Sequence, residues 1–161
     1  MTSEENLYAF DLKGHWMDIG QPRDYLQGVR LHLESLRRSH PEQLSEGPQI
    51  EGNAIIDPTA EIGEGCLIGP GTVVGARCRV GRGTRIVGST LLPGVTVGAH
   101  SFIADSIIGW DSNIEDWCRV EGMSVLGEDV TLKKELCLNG GIILPHKGLK
   151  ESMYVPGTIV M

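Results

Sequence analysis

Ile62-Gly63-Glu64-Gly65-Cys66-Leu67-Ile68-Gly69-Pro70-Gly71-Thr72-Val73-Val74-Gly75-Ala76-Arg77-Cys78-Arg79-Val80-Gly81 repeats one six-residue phrase: an aliphatic residue, a glycine, two free positions, a small side chain and one more free position. Upstream the aliphatic slot continues to Ile56 and Ile50, and downstream to Ile86 and Leu92. It resumes in a new phase at Ile108, Ile114, Val120, Leu126, Leu132, Leu138 and Leu144. Neither a helix nor an ordinary strand has period six. A unit of this size is one short strand plus a bend, which buries its aliphatic only when another coil stacks on it. The expected fold is therefore a parallel β-helix over residues 50–144. The glycine that follows the aliphatic is read as a corner residue with positive φ. The small slot, filled by Ala54, Ala60, Cys66, Thr72, Cys78, Thr84, Thr90, Ser112, Cys118 and Ser124, points inward with the aliphatic.

Between Ile86 and Ile108 there are 22 residues, two fewer than four full repeats. Val97 and Ile103 keep the inward line through this stretch with one shortened unit on either side, and Pro93-Gly94 is the expected tightened corner. Ahead of the coils, Pro22 to His40 reads as one helix (22–40), with proline in its first turn and Tyr25, Leu26, Val29, Leu33 and Leu36 on one face. Residues 41–49 read as a linker, and residues 145–161 as a tail without the period that packs back on the coils.

The composition agrees with a thin, repetitive core: 161 residues, hydrophobic residues at 40%, aromatics at only 5%, and 22 glycines, about twice average usage. A net charge of −7 argues against an unaided nucleic-acid binder. No apolar run approaches the roughly 18 residues of a membrane span, and the start lacks a signal sequence, so a cytoplasmic chain with no membrane partner is expected. Cys66, Cys78, Cys118 and Cys137 form no Cys-x-x-Cys pair and have no histidine at zinc spacing, which makes them reduced thiols filling space.

The repeat resembles the left-handed β-helices of sugar nucleotidyltransferases and acyltransferases, and left-handedness enters only through that resemblance. The front is more specific. Leu7-Tyr8-Ala9-Phe10 followed by Gly14-His15-Trp16-Met17-Asp18-Ile19-Gly20-Gln21-Pro22-Arg23-Asp24-Tyr25-Leu26 resembles the last strand and closing helix of a mannose-1-phosphate guanylyltransferase. Ile107-Ile108-Gly109-Trp110, Trp117-Cys118-Arg119-Val120-Glu121-Gly122, and Leu138-Asn139-Gly140-Gly141 leading to Leu144-Pro145-His146-Lys147 agree with the same family. With no insertion between Glu121 and Leu144, the chain resembles the catalytic beta type more than the regulatory alpha paralogue. On that reading residues 1–21 are the remnant of a nucleotidyltransferase domain, and the chain corresponds to the C-terminal portion of the enzyme.

The resemblance implies GTP and mannose 1-phosphate as substrates, GDP-mannose and pyrophosphate as products, Mg²⁺ as cofactor, and Asp18 as one catalytic magnesium ligand. It also implies a homo-oligomer and pairing with the regulatory paralogue. No cofactor-binding glycine-rich phosphate loop stands in these residues, so the chain alone is expected to be inactive. Each reading has a plainer rival. Asp18 before Gly20 and Pro22 is also an ordinary turn aspartate. Trp110 and Trp117, in outward slots, are interface candidates or are covered by the chain's own tail. Arg77, Arg79, Arg82 and Arg85 are explained by a solvated face. Two other functions stay open: a non-catalytic oligomerisation module, and an acyltransferase using His100 or His146 as base, for neither of which the spacing offers a carboxylate orienter.

Overall fold

The computed structural model describes residues 8–161; the first seven residues of the expected remnant lie outside the described residues. One helix, α1 (Pro22–Ser39), is followed by a 3₁₀ turn at Pro41–Gln43 and then by short parallel strands in three sheets. Pro22 starts the helix where its missing N–H costs nothing, and Leu26, Leu33 and Leu36 are the buried residues of its apolar stripe.

The strands wind into a three-sided parallel β-helix. The first side, which carries α1, stacks Ala54–Ile56, Thr72–Val74, Thr90–Leu91, Ile107–Ile108, Val125–Leu126, Ile142–Ile143 and Ile159–Val160. A second, polar side stacks Glu61–Ile62, Arg79–Val80, Thr96–Val97, Asn113–Ile114, Thr131–Leu132 and Gly148–Leu149. The third stacks Leu67–Ile68, Arg85–Val87, Phe102–Ala104, Arg119–Glu121 and Cys137–Asn139. One aliphatic per side turns inward, and Ile68, Ile86, Ile103, Ile108, Ile114 and Leu138 are all fully buried. The parallel ladder runs past residue 144: Leu149, Met153 and Val160 pair with Leu132, Leu138 and Ile143 of the preceding coil. The tail is thus a further coil, whose period is hidden because Leu149, Met153 and Val160 are spaced four and seven residues apart instead of six.

One short unit falls on either side of Val97 and Ile103, as expected, but neither is at Pro93-Gly94. Ile86 to Leu91, Ile103 to Ile108 and Leu138 to Ile143 each span five residues instead of six, always at the corner between the third side and the helix side. Pro93-Gly94 sits at a corner of ordinary length. In consequence Leu91 is buried and Leu92 only half-buried, and Ile143 is buried while Leu144 is 40% exposed. The six-residue count assigned Leu92 and Leu144 to the core because it cannot see one-residue deletions between adjacent aliphatics.

The glycine reading is also corrected. Gly63, Gly75, Gly81, Gly109 and Gly127 do not have positive φ. They are glycine because the next coil presses on them: a Cβ on Gly81 would meet the Ala99 nitrogen at 2.5 Å. The left-handed conformation falls two residues further on, at Gly65, Arg77, Gly83, His100, Asp111, Trp117 and Asp129 among others.

Inside, the small slot forms a polar seam. Thr84 Oγ1 donates to the Gly98 carbonyl at 2.8 Å and accepts the Ser101 N–H at 3.2 Å, and Ser112 Oγ repeats this with Gly127 and Val130 one coil on. Cys66 and Cys118 stand in the column of Thr84 and Ser101, and Cys78 in that of Ser112, their thiols directed at carbonyls of the following coil.

Candidate functional site

Asp18 stands four residues before α1. Its Oδ1 accepts the Gly20 N–H at 3.1 Å, an Asx turn that aims the chain into Pro22. Residues 8–20 contain no strand or helix, so the strand expected from Leu7 onward is not formed over its described part. Tyr8, Phe10 and Trp16 are 84%, 89% and 76% exposed, a run of large apolar side chains without cover. Trp16, Ile19 and Tyr25, with Val29 of α1 and Ile55 and Val73 of the helix side, line an apolar cleft of about 520 Å³.

Asp18 is the only residue that the sequence reading assigned to a metal, and one exposed carboxylate does not fit a resident Mg²⁺, which takes several oxygen ligands. Among the described residues no group of three or more His, Cys, Asp or Glu converges as a metal site. The cysteines do not serve as one: burial pushes the Cys78 and Cys118 thiols above their ordinary range, which keeps them protonated.

Trp110 and Trp117 are 51% and 62% exposed. They flank one strand of the polar side, Asn113–Ile114, at its two corners. The Trp117 ring stacks on His100 of the preceding coil, with centroids 4.5 Å apart. On the third side the Arg119 guanidinium lies 4.7 Å over the Phe102 ring and grips Glu121 through two hydrogen bonds of 2.7 Å, holding that carboxyl below the usual range. Arg79 reaches Glu61 at 3.6 Å, and both ends are exposed.

Two pairings escaped the sequence. His146 Nδ1 lies 3.0 Å from Asp129 Oδ2, so this histidine does have a carboxylate beside it. The partners are 17 residues apart, a separation that means contact only once the coil length is known. Both are exposed, and neither His146 nor His100 lines any of the described clefts. Arg30 of α1 pairs with Asp105, 75 residues away, above Gly71 and Gly88, whose missing side chains make room for the guanidinium. No sequence signal announces that clamp.

A profile described as the GMPPB C-terminal domain matches residues 50–159. Mannose-1-phosphate guanylyltransferase 1 of Arabidopsis thaliana is 48% identical over 160 residues, covering 99% of this chain and 44% of the relative. The catalytic subunit beta of the Drosophila melanogaster enzyme is 55% identical, with 99% and 43% covered. The Xenopus laevis beta-B protein is 52% identical over the same shares as the Arabidopsis one. The chain therefore spans less than half the length of these relatives. Among solved structures, a mutant perosamine N-acetyltransferase from Caulobacter crescentus, in complex with CoA and GDP-perosamine, superposes with a TM-score of 0.52 at 16% identity over 78% of this chain and 59% of its own. That likeness is one of fold. No helix among the described residues is long and apolar enough to cross a membrane.

Proposed function

The chain belongs to the GMPPB C-terminal domain family, and from that premise we propose that it is the C-terminal, assembly-forming part of a mannose-1-phosphate guanylyltransferase of the catalytic beta type. The observation that carries the proposal is the 48–55% identity that runs over 160 residues, through the Asp18 turn as well as the coils. In the reaction, a phosphate oxygen of mannose 1-phosphate attacks the α-phosphorus of GTP, and pyrophosphate leaves as GDP-mannose forms.

The described residues support a division of labour. The β-helix supplies a stiff rod to which Arg30 and Asp105 fasten α1. The Asp18 turn and the uncovered Tyr8, Phe10 and Trp16 present the face that a catalytic domain would cover. Asp18 spends Oδ1 on its turn, and its role as a magnesium ligand needs further carboxylates from outside these residues. The free, buried thiols suit a reducing compartment, so we place the protein in the cytoplasm. Assembly as a homo-oligomer, and with the regulatory alpha paralogue, is the role proposed for the β-helix.

The test is a chimera in which this chain replaces the matching segment of the fly catalytic subunit. GDP-mannose formation by the chimera, lost with Asp18→Asn while the protein stays folded, supports the reading. An inactive, folded chimera, or activity indifferent to Asp18→Asn, overturns the domain assignment or the role of Asp18 respectively.

A further inference from the structure

We propose that Arg30 and Asp105 are positioning residues for the guanylyl transfer: together they set the register of α1 along the β-helix, and with it the place of the Asp18 turn. The inference rests on the reading that this chain belongs to a guanylyltransferase, and adds how the β-helix acts on the reaction.

At the corner between the third side and the helix side, Asn53, Gly71, Gly88, Asp105, Gly122 and Gly140 stand in one column through successive coils. From Gly71 onward each has positive φ, which glycine adopts without strain. Asp105 alone among these keeps a side chain there, at φ 44°, and that side chain grips Arg30. Asn53, the other residue of the column with a side chain, accepts a hydrogen bond from Arg37 at 3.2 Å. Both side chains of the column are thus spent on α1.

The helix lies along this column. Between the corners held by Arg37 and Arg30 there are three coil spacings of about 4.8 Å; the intervening helix advances about 10.5 Å, and the arginine side chains span the remainder. The start of α1 then falls level with Gly122 and Gly140, which line a cleft with Gln21, Pro22 and Arg23. Apolar packing does not fix where along this line the helix stops. Ile55, Val73, Ile107, Val125 and Ile142 share one column on the helix side, so successive coils offer the Leu26 and Leu33 stripe much the same surface. One helical turn of about 5.4 Å nearly matches one coil of about 4.8 Å, so a slip by one notch keeps most of that contact. A carboxylate that occurs once in a column of glycines does not repeat. Arg30 lies over Gly71 and Gly88, where an added Cβ would meet it at 3.2 and 2.8 Å, and Asp105 is the corner that it reaches beyond them. A slip by one coil would carry the Asp18 turn about 5 Å along the rod, more than a reacting geometry tolerates.

The test has two arms. In the whole chain, nitroxides at exposed Gln27 and Glu151, in a Cys137→Ser background, report the place of α1 by their distance. The proposal expects one distance, joined by a second that is displaced by several ångströms when Asp105→Gly or Arg30→Ala removes the key. Glycine is what the column otherwise carries at this φ, so Asp105→Gly stays folded, which circular dichroism checks. In the chimera with the fly catalytic subunit, the same substitutions lower kcat about fivefold, the limit that a half-exposed ion pair sets on the preference for one register. KM for both substrates stays within about twofold, and the double variant is no worse than either single one. An unchanged distance overturns the register key. A shifted distance with unaltered kcat, or a loss that only follows the amount of folded enzyme, overturns the positioning role. An unsubstituted chimera without activity overturns the functional reading beneath the proposal, and the distance arm, which uses no activity, still decides the register.

Discussion

Gly109 lies flat against Gly127 of the next coil: a Cβ added to Gly109 would sit 2.2 Å from the Gly127 carbonyl oxygen. That oxygen also accepts the Ser112 hydroxyl at 2.9 Å, so it cannot retreat without breaking the inner seam. Gly109→Ala is expected to cost at least about 2 kcal/mol by overpacking against backbone. Gly148 has ordinary φ and nothing within 4 Å, so Gly148→Ala should stay within about 0.5 kcal/mol. Urea unfolding of the two variants checks the contrast; equal costs would contradict it.

The inner seam makes a second contrast. Thr90 and Thr72 are buried with hydroxyls that have no hydrogen-bond partner among the described residues, whereas the Thr84 hydroxyl has two. Replacing a threonine by valine keeps the shape and removes the oxygen. Thr90→Val should be neutral or stabilising by up to about 1 kcal/mol, and Thr84→Val destabilising by about 1–2 kcal/mol. Thermal unfolding that ranks the two in the opposite order would show that the seam is not what fixes these positions.

Arg30 and Asp105 are each about half exposed, with side chains 43% and 51% accessible. Solvent screening limits their coupling to about 1 kcal/mol or less. A double-mutant cycle with Arg30→Ala and Asp105→Ala reads this directly. Amide exchange should show the loss confined to α1 and the adjoining corner, because each coil is held by its neighbours and not by the helix.

Burial pushes the Cys78 and Cys118 thiols above their ordinary range in the folded chain. The folded state favours the neutral thiol, so its contribution to stability is complete below the unfolded thiol range and is lost as pH climbs past it. Stability should fall as pH climbs past the unfolded thiol range of about 8.5, and less steeply in a Cys78→Ala, Cys118→Ala variant. At pH 8 a thiol reagent should modify half-buried Cys137 first.

The repeat was legible because period six admits one architecture, and Ile62, Ile68, Val74 and Val80 mark it without a gap. What the count could not resolve was a deletion of one residue at a single corner. Leu91 and Leu92 are both aliphatic, so the pattern alone could not say which turned inward. The same holds for Ile143 and Leu144. Gly81 and Gly83 look alike in the sequence, yet one is glycine for the neighbouring backbone and the other for its own φ. Pairings across coils, such as His146 with Asp129, needed the 17-residue coil length, and Arg30 with Asp105 needed the docking of α1. Asp18 shows the opposite limit. Its place was visible through the family motif, but the described residues bring no second ligand to it.

Under the proposed function, this chain supplies an assembly half and catalysis belongs to a part of the enzyme outside it. Pyrophosphate release from GTP and mannose 1-phosphate with Mg²⁺, measured for the purified 161-residue chain and for the chimera carrying it, tests that division most directly. The account predicts silence from the chain and turnover by the chimera. Pyrophosphate release by the chain alone would contradict it, by revealing a phosphate site within these residues.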